Sequence, residues 1–184
     1  MNRSLVLLLF ELMLNGCSQI EPNPIQVYLE LAPADPTVES NTRIQAFIKL
    51  YDQLDRVSID KQIAETYAEK IYFNDTLVTI HDRQNLLKYL KHTQQQLDSI
   101  KFEALSVQDN GKDAYVRWLM QTQFSNMGQD YDIQSIGISH LRFNEENKII
   151  VHQDYWDSMQ GFYQHLPVIG GILRWIKKNI AKIN

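Results

Sequence analysis

At Lys101 the chain changes period. Upstream, apolar residues recur every three or four positions; from there they alternate with polar ones over Lys101–Gln108, Asp113–Phe124, Gln134–Phe143 and Lys148–Trp156. Such alternation sends successive side chains to opposite faces of a strand. Asn110-Gly111 and the run Asn144-Glu145-Glu146-Asn147 supply turn chemistry between strands. A strand meander of this kind has one face to bury, and the covering elements lie upstream. Ile44, Phe47, Ile48, Tyr51 and Leu54 make 42–55 an amphipathic helix, and Ile59, Ile63 and Tyr67 mark a second over 58–67. A short strand follows at Ile71–Asp75, then a helix over 82–98 with Leu86, Leu87, Leu90 and Leu97 inside. The order α-α-β-α-β-β-β-β is that of an α+β domain, with helices on one face of a curved antiparallel sheet.

The last strand carries the chemistry. Its register puts Ile150, His152, Asp154 and Trp156 on one face and Ile149, Val151, Gln153 and Tyr155 on the other. Imidazole, carboxylate and indole in a row read as the wall of a polar-bottomed pocket. In apolar surroundings desolvation raises a carboxylate's pKa, so Asp154 is expected to act as a base near neutrality, with His152 sharing its proton or holding it ionised. The plainer alternative is that the two only satisfy each other as buried polar groups. Trp118, Phe143 and Trp156 read as core or pocket wall. Other chemistries lack their residues. There is no glycine-rich phosphate loop and no serine in a nucleophile elbow. His81, His92 and His165 show no ligand spacing, and the single cysteine excludes an internal disulfide or a cysteine-based zinc site. No metal or cofactor is expected. A net charge of −4 gives no basic field for nucleic acid.

The two ends read differently from the middle. Arg3, the apolar run Leu5–Leu14 and Leu14-Asn15-Gly16-Cys17 resemble a bacterial lipoprotein signal with its lipobox. That resemblance implies lipidation at Cys17 and, with Ser18 next, an outer-membrane lipoprotein facing the periplasm of the cell envelope. Residues 1–17 are then the signal and 18–40, with Pro22, Pro24, Pro33 and Pro36, a flexible tether. The remaining 41–184 form one domain. Its tail is an amphipathic helix with Ile169, Ile172, Leu173, Ile176, Ile180 and Ile183 on one stripe and Arg174, Lys177, Lys178 and Lys182 beside it. Such a helix packs on the sheet or across a dimer, or else lies on anionic lipid.

Three segments carry a wider resemblance: Tyr67-Ala68-Glu69-Lys70-Ile71-Tyr72-Phe73-Asn74-Asp75, Ser139-His140-Leu141-Arg142-Phe143-Asn144, and Lys148 to Asp157 with its tyrosine-tryptophan-aspartate ending. Together and in this order they resemble the nuclear transport factor 2-like superfamily, in its SnoaL-like and ketosteroid-isomerase-like branch. The resemblance implies a cystatin-like, cone-shaped sheet wrapped round a helix and enclosing an apolar pocket. Trp118, Ser139, Leu141, Phe143 and Trp156 would then line a site for a small hydrophobic ligand. By likeness to ketosteroid isomerases, Asp75 takes the proton-shuttle place and Tyr51 the oxyanion-donor place, while Ser139 stands where the second donor is a carboxylic acid. By likeness to limonene-epoxide hydrolases, Asp154 matches one aspartate of an aspartate-arginine-aspartate set whose other places hold Val116 and Trp118. SnoaL-like cyclases need chiefly one acid/base aspartate, which Asp154 with His152 supplies. The functions implied are binding of an apolar or amphiphilic molecule, proton-transfer catalysis (isomerase, cyclase or hydrolase), or a dimeric protein-interaction module.

Overall fold

The computed structural model describes residues 23–56, 58–126, 128–165 and 169–180. The lipobox and Cys17 lie outside them, as do Lys182 and Ile183. The chain divides into two compact units, Met1–Leu31 and Ala32–Asn184. The described part of the first is helix α1 (Pro24–Leu31), opened by Asn23, whose side-chain oxygen accepts from the Ile25 N–H at 3.0 Å.

In the second unit, α2 (Gln45–Asp52) and α3 (Ile59–Thr66) lead into β1 (Tyr67–Asn74) and β2 (Thr79–Asp82), and α4 (Arg83–Gln96) follows. Strands β3 (Ser99–Asp109), β4 (Asp113–Asn126), β5 (Gln129–Phe143) and β6 (Ile149–Trp156) come next, then the short α5 (Ser158–Gly161) and α6 (Ile169–Ile180). The six strands form one curved, unclosed sheet in the order β2-β1-β6-β5-β4-β3. Only β1 with β6 is parallel. The α+β class and its cone-like sheet are as expected; β2 is an addition. The sheet's concave face closes on Phe47 and Leu50 of α2, Ile59 and Ile63 of α3, and Leu86 and Leu90 of α4. Helix α2 and the turn after it also serve the edge strand. Asp52 Oδ1 accepts from the Phe102 N–H at 3.3 Å and Asp55 Oδ2 from the Ile100 N–H at 3.1 Å, which satisfies donors that no neighbouring strand reaches.

Three differences from the sequence reading have local causes. Within the tether expected over 18–40, helix α1 and a second stretch are structured. Pro36–Ser40 form a 3-10 helix capped by Asp35, whose N–H donates to Leu105 O at 2.7 Å, and Val38 is buried in the core. The carbonyls of Ala32 and Pro33 accept from the Arg117 guanidinium at 2.9 and 2.8 Å, so this proline-containing stretch finds partners on the sheet. In β6 a bulge falls between Ile149, opposite Phe143, and Val151, opposite Arg142. The extra residue reverses the facing before it, so buried Ile149, not Ile150, shares the inner face with His152. The C-terminal segment is helical as expected, but its described apolar face is not packed on the sheet. Ile172, Trp175, Ile176 and Ile180 are exposed, and the principal neighbour of α6 is the turn Tyr163–His165.

Candidate functional site

The inner face of β4, β5 and β6 is a ladder of cross-strand rows. Ala114, Leu141 and His152 form one row, Val116, Ser139 and Asp154 the next, and Trp118, Gly137 and Trp156 the third. The first row is apolar apart from the imidazole, the second brings a hydroxyl beside a carboxylate, and the third is aromatic on both sides of a glycine. Period two on three adjacent strands thus stacks the groups that chemistry needs between an apolar floor and an indole wall.

His152 is fully buried and ringed by aromatics: Phe47 lies 5.4 Å away and Phe73 4.9 Å, both edge-on, and Tyr67 is stacked at 6.0 Å. Both ring nitrogens are used. Nε2 is 2.7 Å from Asp154 Oδ1 and Nδ1 is 2.7 Å from the Tyr67 hydroxyl, which in turn is 3.0 Å from the Tyr51 hydroxyl. Asp154 Oδ1 also accepts from the Ser139 O–H at 2.5 Å, and the Trp118 indole N–H donates to Ser139 Oγ at 2.9 Å. With Asp154 ionised and His152 neutral, the protons have one consistent arrangement. Nε2–H donates to the carboxylate, Tyr67 donates to Nδ1, and Tyr51 donates to Tyr67. The result is a continuous chain from Tyr51 to Asp154, with Trp118 and Ser139 entering from the other side. Burial, with the neighbouring phenol and the Asp154 charge, pushes the Tyr51 phenol well above its usual range; burial does the same to Tyr67. Both phenols therefore stay protonated and act as donors.

One atom of this network is left over. Both hydrogen bonds to the Asp154 carboxylate land on Oδ1, Oδ2 has no protein partner among the described residues, and the side chain keeps 13 % exposure. The carboxylate is held by one oxygen and open at the other.

The other expected residues divide. Tyr51 and Ser139 belong to the network, but the Ser139 hydroxyl is turned to Asp154, so it does not stand free as an oxyanion donor. Trp118 joins through its indole N–H. Leu141 and Phe143 are core, Phe143 lying under the Arg43 guanidinium at 4.4 Å. Trp156 is partly buried and donates its indole N–H to the Asp75 carbonyl at 2.8 Å. Asp75 itself is occupied elsewhere. Its Oδ1 accepts from the N–H groups of Leu77 and Val78 at 3.0 and 2.9 Å, and its Oδ2 takes the Tyr89 hydroxyl at 2.5 Å. In that turn Thr76 sits at φ 75°, a value a proline could not adopt. Tyr67 and Tyr89 were missed by the sequence reading. Tyr67 was read as the end of a helical stripe, whereas it opens β1, and the parallel pairing of Phe73 with His152 brings β1 against the site. Among the described residues no cluster of histidine, cysteine, aspartate and glutamate could hold a metal ion.

Gly137 makes the ladder possible. A Cβ there would lie 2.3 Å from Trp118 Cζ2 and 2.4 Å from Cη2, so the indole lies across a residue with no side chain on its way to Ser139.

Solved structures share this architecture. An NTF2-like protein of unknown function from Exiguobacterium sp. 255-15 is 17 % identical, covering 63 % of this chain and 98 % of its own, with a TM-score of 0.54. A candidate SnoaL-like polyketide cyclase from Shewanella putrefaciens CN-32 is 14 % identical over 64 % and 91 %, at 0.56. An LEH-like epoxide hydrolase from M. tuberculosis is 12 % identical over 75 % and 92 %, at 0.54. At such identities the likeness is one of fold. No curated protein matches the chain. The sequence profile of the SnoaL-like domain matches residues 44–152, from the turn before α2 to the network histidine, and the chain belongs to that family.

Proposed function

We propose that this domain receives a small apolar or amphiphilic molecule against the aromatic inner face of its sheet, and that Asp154 exchanges a proton with it. The observation that supports this reading is the unpartnered Oδ2 of a carboxylate whose Oδ1 is fixed by His152 and Ser139. A purely structural hydrogen-bonded pair gains nothing from an open oxygen, whereas a general base needs one within reach of a substrate proton. His152 and Ser139 orient the carboxylate. A proton taken by Oδ2 leaves a neutral acid, and the Tyr51–Tyr67–His152 chain can re-polarise around it without any group leaving its place.

The chemistry this fits is proton movement beside a carbonyl, as in isomerisation or aldol-type cyclisation. Two sets of roles do not assemble here. Asp75 is committed to its turn and to Tyr89, which leaves the ketosteroid-isomerase shuttle place occupied. The arginine and second aspartate of an epoxide-hydrolase set are replaced by buried Val116 and Trp118. The lipobox-like start supports a location in the cell envelope for this activity, with Cys17 as the anchor. A hydrophobic-metabolite extract of the native host, incubated with the full chain in D2O, tests the reading by mass spectrometry. A component that gains carbon-bound deuterium or changes structure with the wild type, and not with Asp154→Asn, is the expected result. Identical extracts with both proteins overturn it.

A second reading has its own observation. The outer sheet face exposes Ile138 opposite Tyr155, with Tyr115 nearby, a strip suited to pairing with a second copy. Sedimentation of the wild type against Ile138→Glu tests that homodimer.

A further inference from the structure

We infer that helix α6 is an interfacial helix that lays this protein on an anionic membrane surface. The argument is independent of the reaction proposed above. Ile172, Ile176 and Ile180 recur every fourth residue and stand 55 %, 38 % and 80 % exposed, with Trp175 beside them at 67 %. A soluble helix normally buries such a stripe. This one carries its apolar residues outward, and its principal neighbour is a short turn.

Charge decides what covers it. The chain as a whole is acidic, at −4, yet every charged residue after Asp157 is basic: Arg174, Lys177, Lys178 and Lys182. Lys177 and Lys178 are exposed; at about 100° per residue Lys177 flanks the Ile172–Ile176–Ile180 line and Lys178 lies on the far side. A second copy of the same helix would bring like charges together across the apolar contact. An anionic lipid surface instead offers hydrocarbon to the isoleucines and phosphate to the lysines. Exposed Trp175 suits the headgroup boundary, where an amphipathic ring meets both phases. The described helix is too short to span: its twelve residues reach about 18 Å, against a hydrocarbon core of about 30 Å. The helix lies in the surface.

The test uses the full chain with vesicles of phosphatidylethanolamine and phosphatidylglycerol, and with vesicles of phosphatidylcholine alone. The N-terminal apolar run is common to every variant, so differences report α6. Removing two surface charges as Lys177→Gln/Lys178→Gln should weaken binding to the anionic vesicles by about thirtyfold. It should change binding to phosphatidylcholine little and leave circular dichroism and thermal unfolding unchanged. Brominated lipid should quench the wild-type fluorescence, and Trp175→Phe should remove that quenching while Trp118 and Trp156 still emit. Equal affinity of wild type and double variant for anionic vesicles overturns the proposal. So does bound protein whose Trp175 is not quenched, or vesicle-free self-association abolished by Ile176→Glu, which would make a second copy the occupant.

Discussion

Gly137→Ala drives a methyl group into the Trp118 indole. The new Cβ would stand 2.3 Å from Cζ2 and 2.4 Å from Cη2, whereas carbon atoms settle at about 3.5 Å or more. The ring must therefore move by more than about 1 Å. Its N–H lies 2.9 Å from Ser139 Oγ, so that movement carries it out of hydrogen-bonding range. Overpacking of a filled core costs about 1–3 kcal/mol, and a buried N–H left without a partner costs a further ~1–3 kcal/mol. The expected loss is about 2–6 kcal/mol, a large part of an ordinary domain's ~5–15 kcal/mol. Urea unfolding followed by circular dichroism measures it, and the cycle with Trp118→Ala isolates its cause. Where the indole is absent the three atoms nearest the methyl are gone, so the two changes should couple by at least about 2 kcal/mol. A single-variant loss below about 0.5 kcal/mol, or simple additivity, would refute the claim that this glycine exists to pass the indole.

Tyr67→Phe removes the donor to His152 Nδ1. It should cost about 1–3 kcal/mol in the same unfolding assay, towards the lower end because the Tyr51 hydroxyl, 3.5 Å from Nδ1, is placed to replace it. Ser139→Ala strands the Trp118 N–H and frees Oδ1 on one side; a similar loss is expected, with a shift in tryptophan emission. At the opposite end of the meander, hydrogen bonds from Arg142 and then His140 lower Asp113 from 3.8 to about 2. A depressed carboxylate pKa contributes stability above its unfolded value, lost as pH falls from about 4 towards 2. Solvent at this site limits the contribution to the order of 1 kcal/mol, and Arg142→Gln should flatten that part of the acid unfolding curve.

The strand meander was legible because alternation on β3 to β6 is a local property of the chain. His152 and Asp154 were legible as a pair for the same reason: two residues apart, and both beyond the bulge, they share a face whatever precedes them. Ile149 and Ile150 were misplaced because a bulge is set by pairing with β5 and leaves no mark in a run of three aliphatic residues. Four-residue β2 is too short for its alternation to stand out before α4. The Tyr67 link to His152 depends on a parallel pairing between strands some eighty residues apart, which no local pattern encodes. The helical period of α6 was plain in the sequence; whether its stripe would be covered was a question of tertiary packing.

The most direct measurement is native mass spectrometry of the full chain purified from its native host, as wild type and as Asp154→Asn. If Asp154 turns its ligand over, the wild type should come empty or carry an altered molecule, while the Asp154→Asn variant retains the unaltered one. The same intact molecule held by both, or by neither, would contradict a proton-transfer role for Asp154.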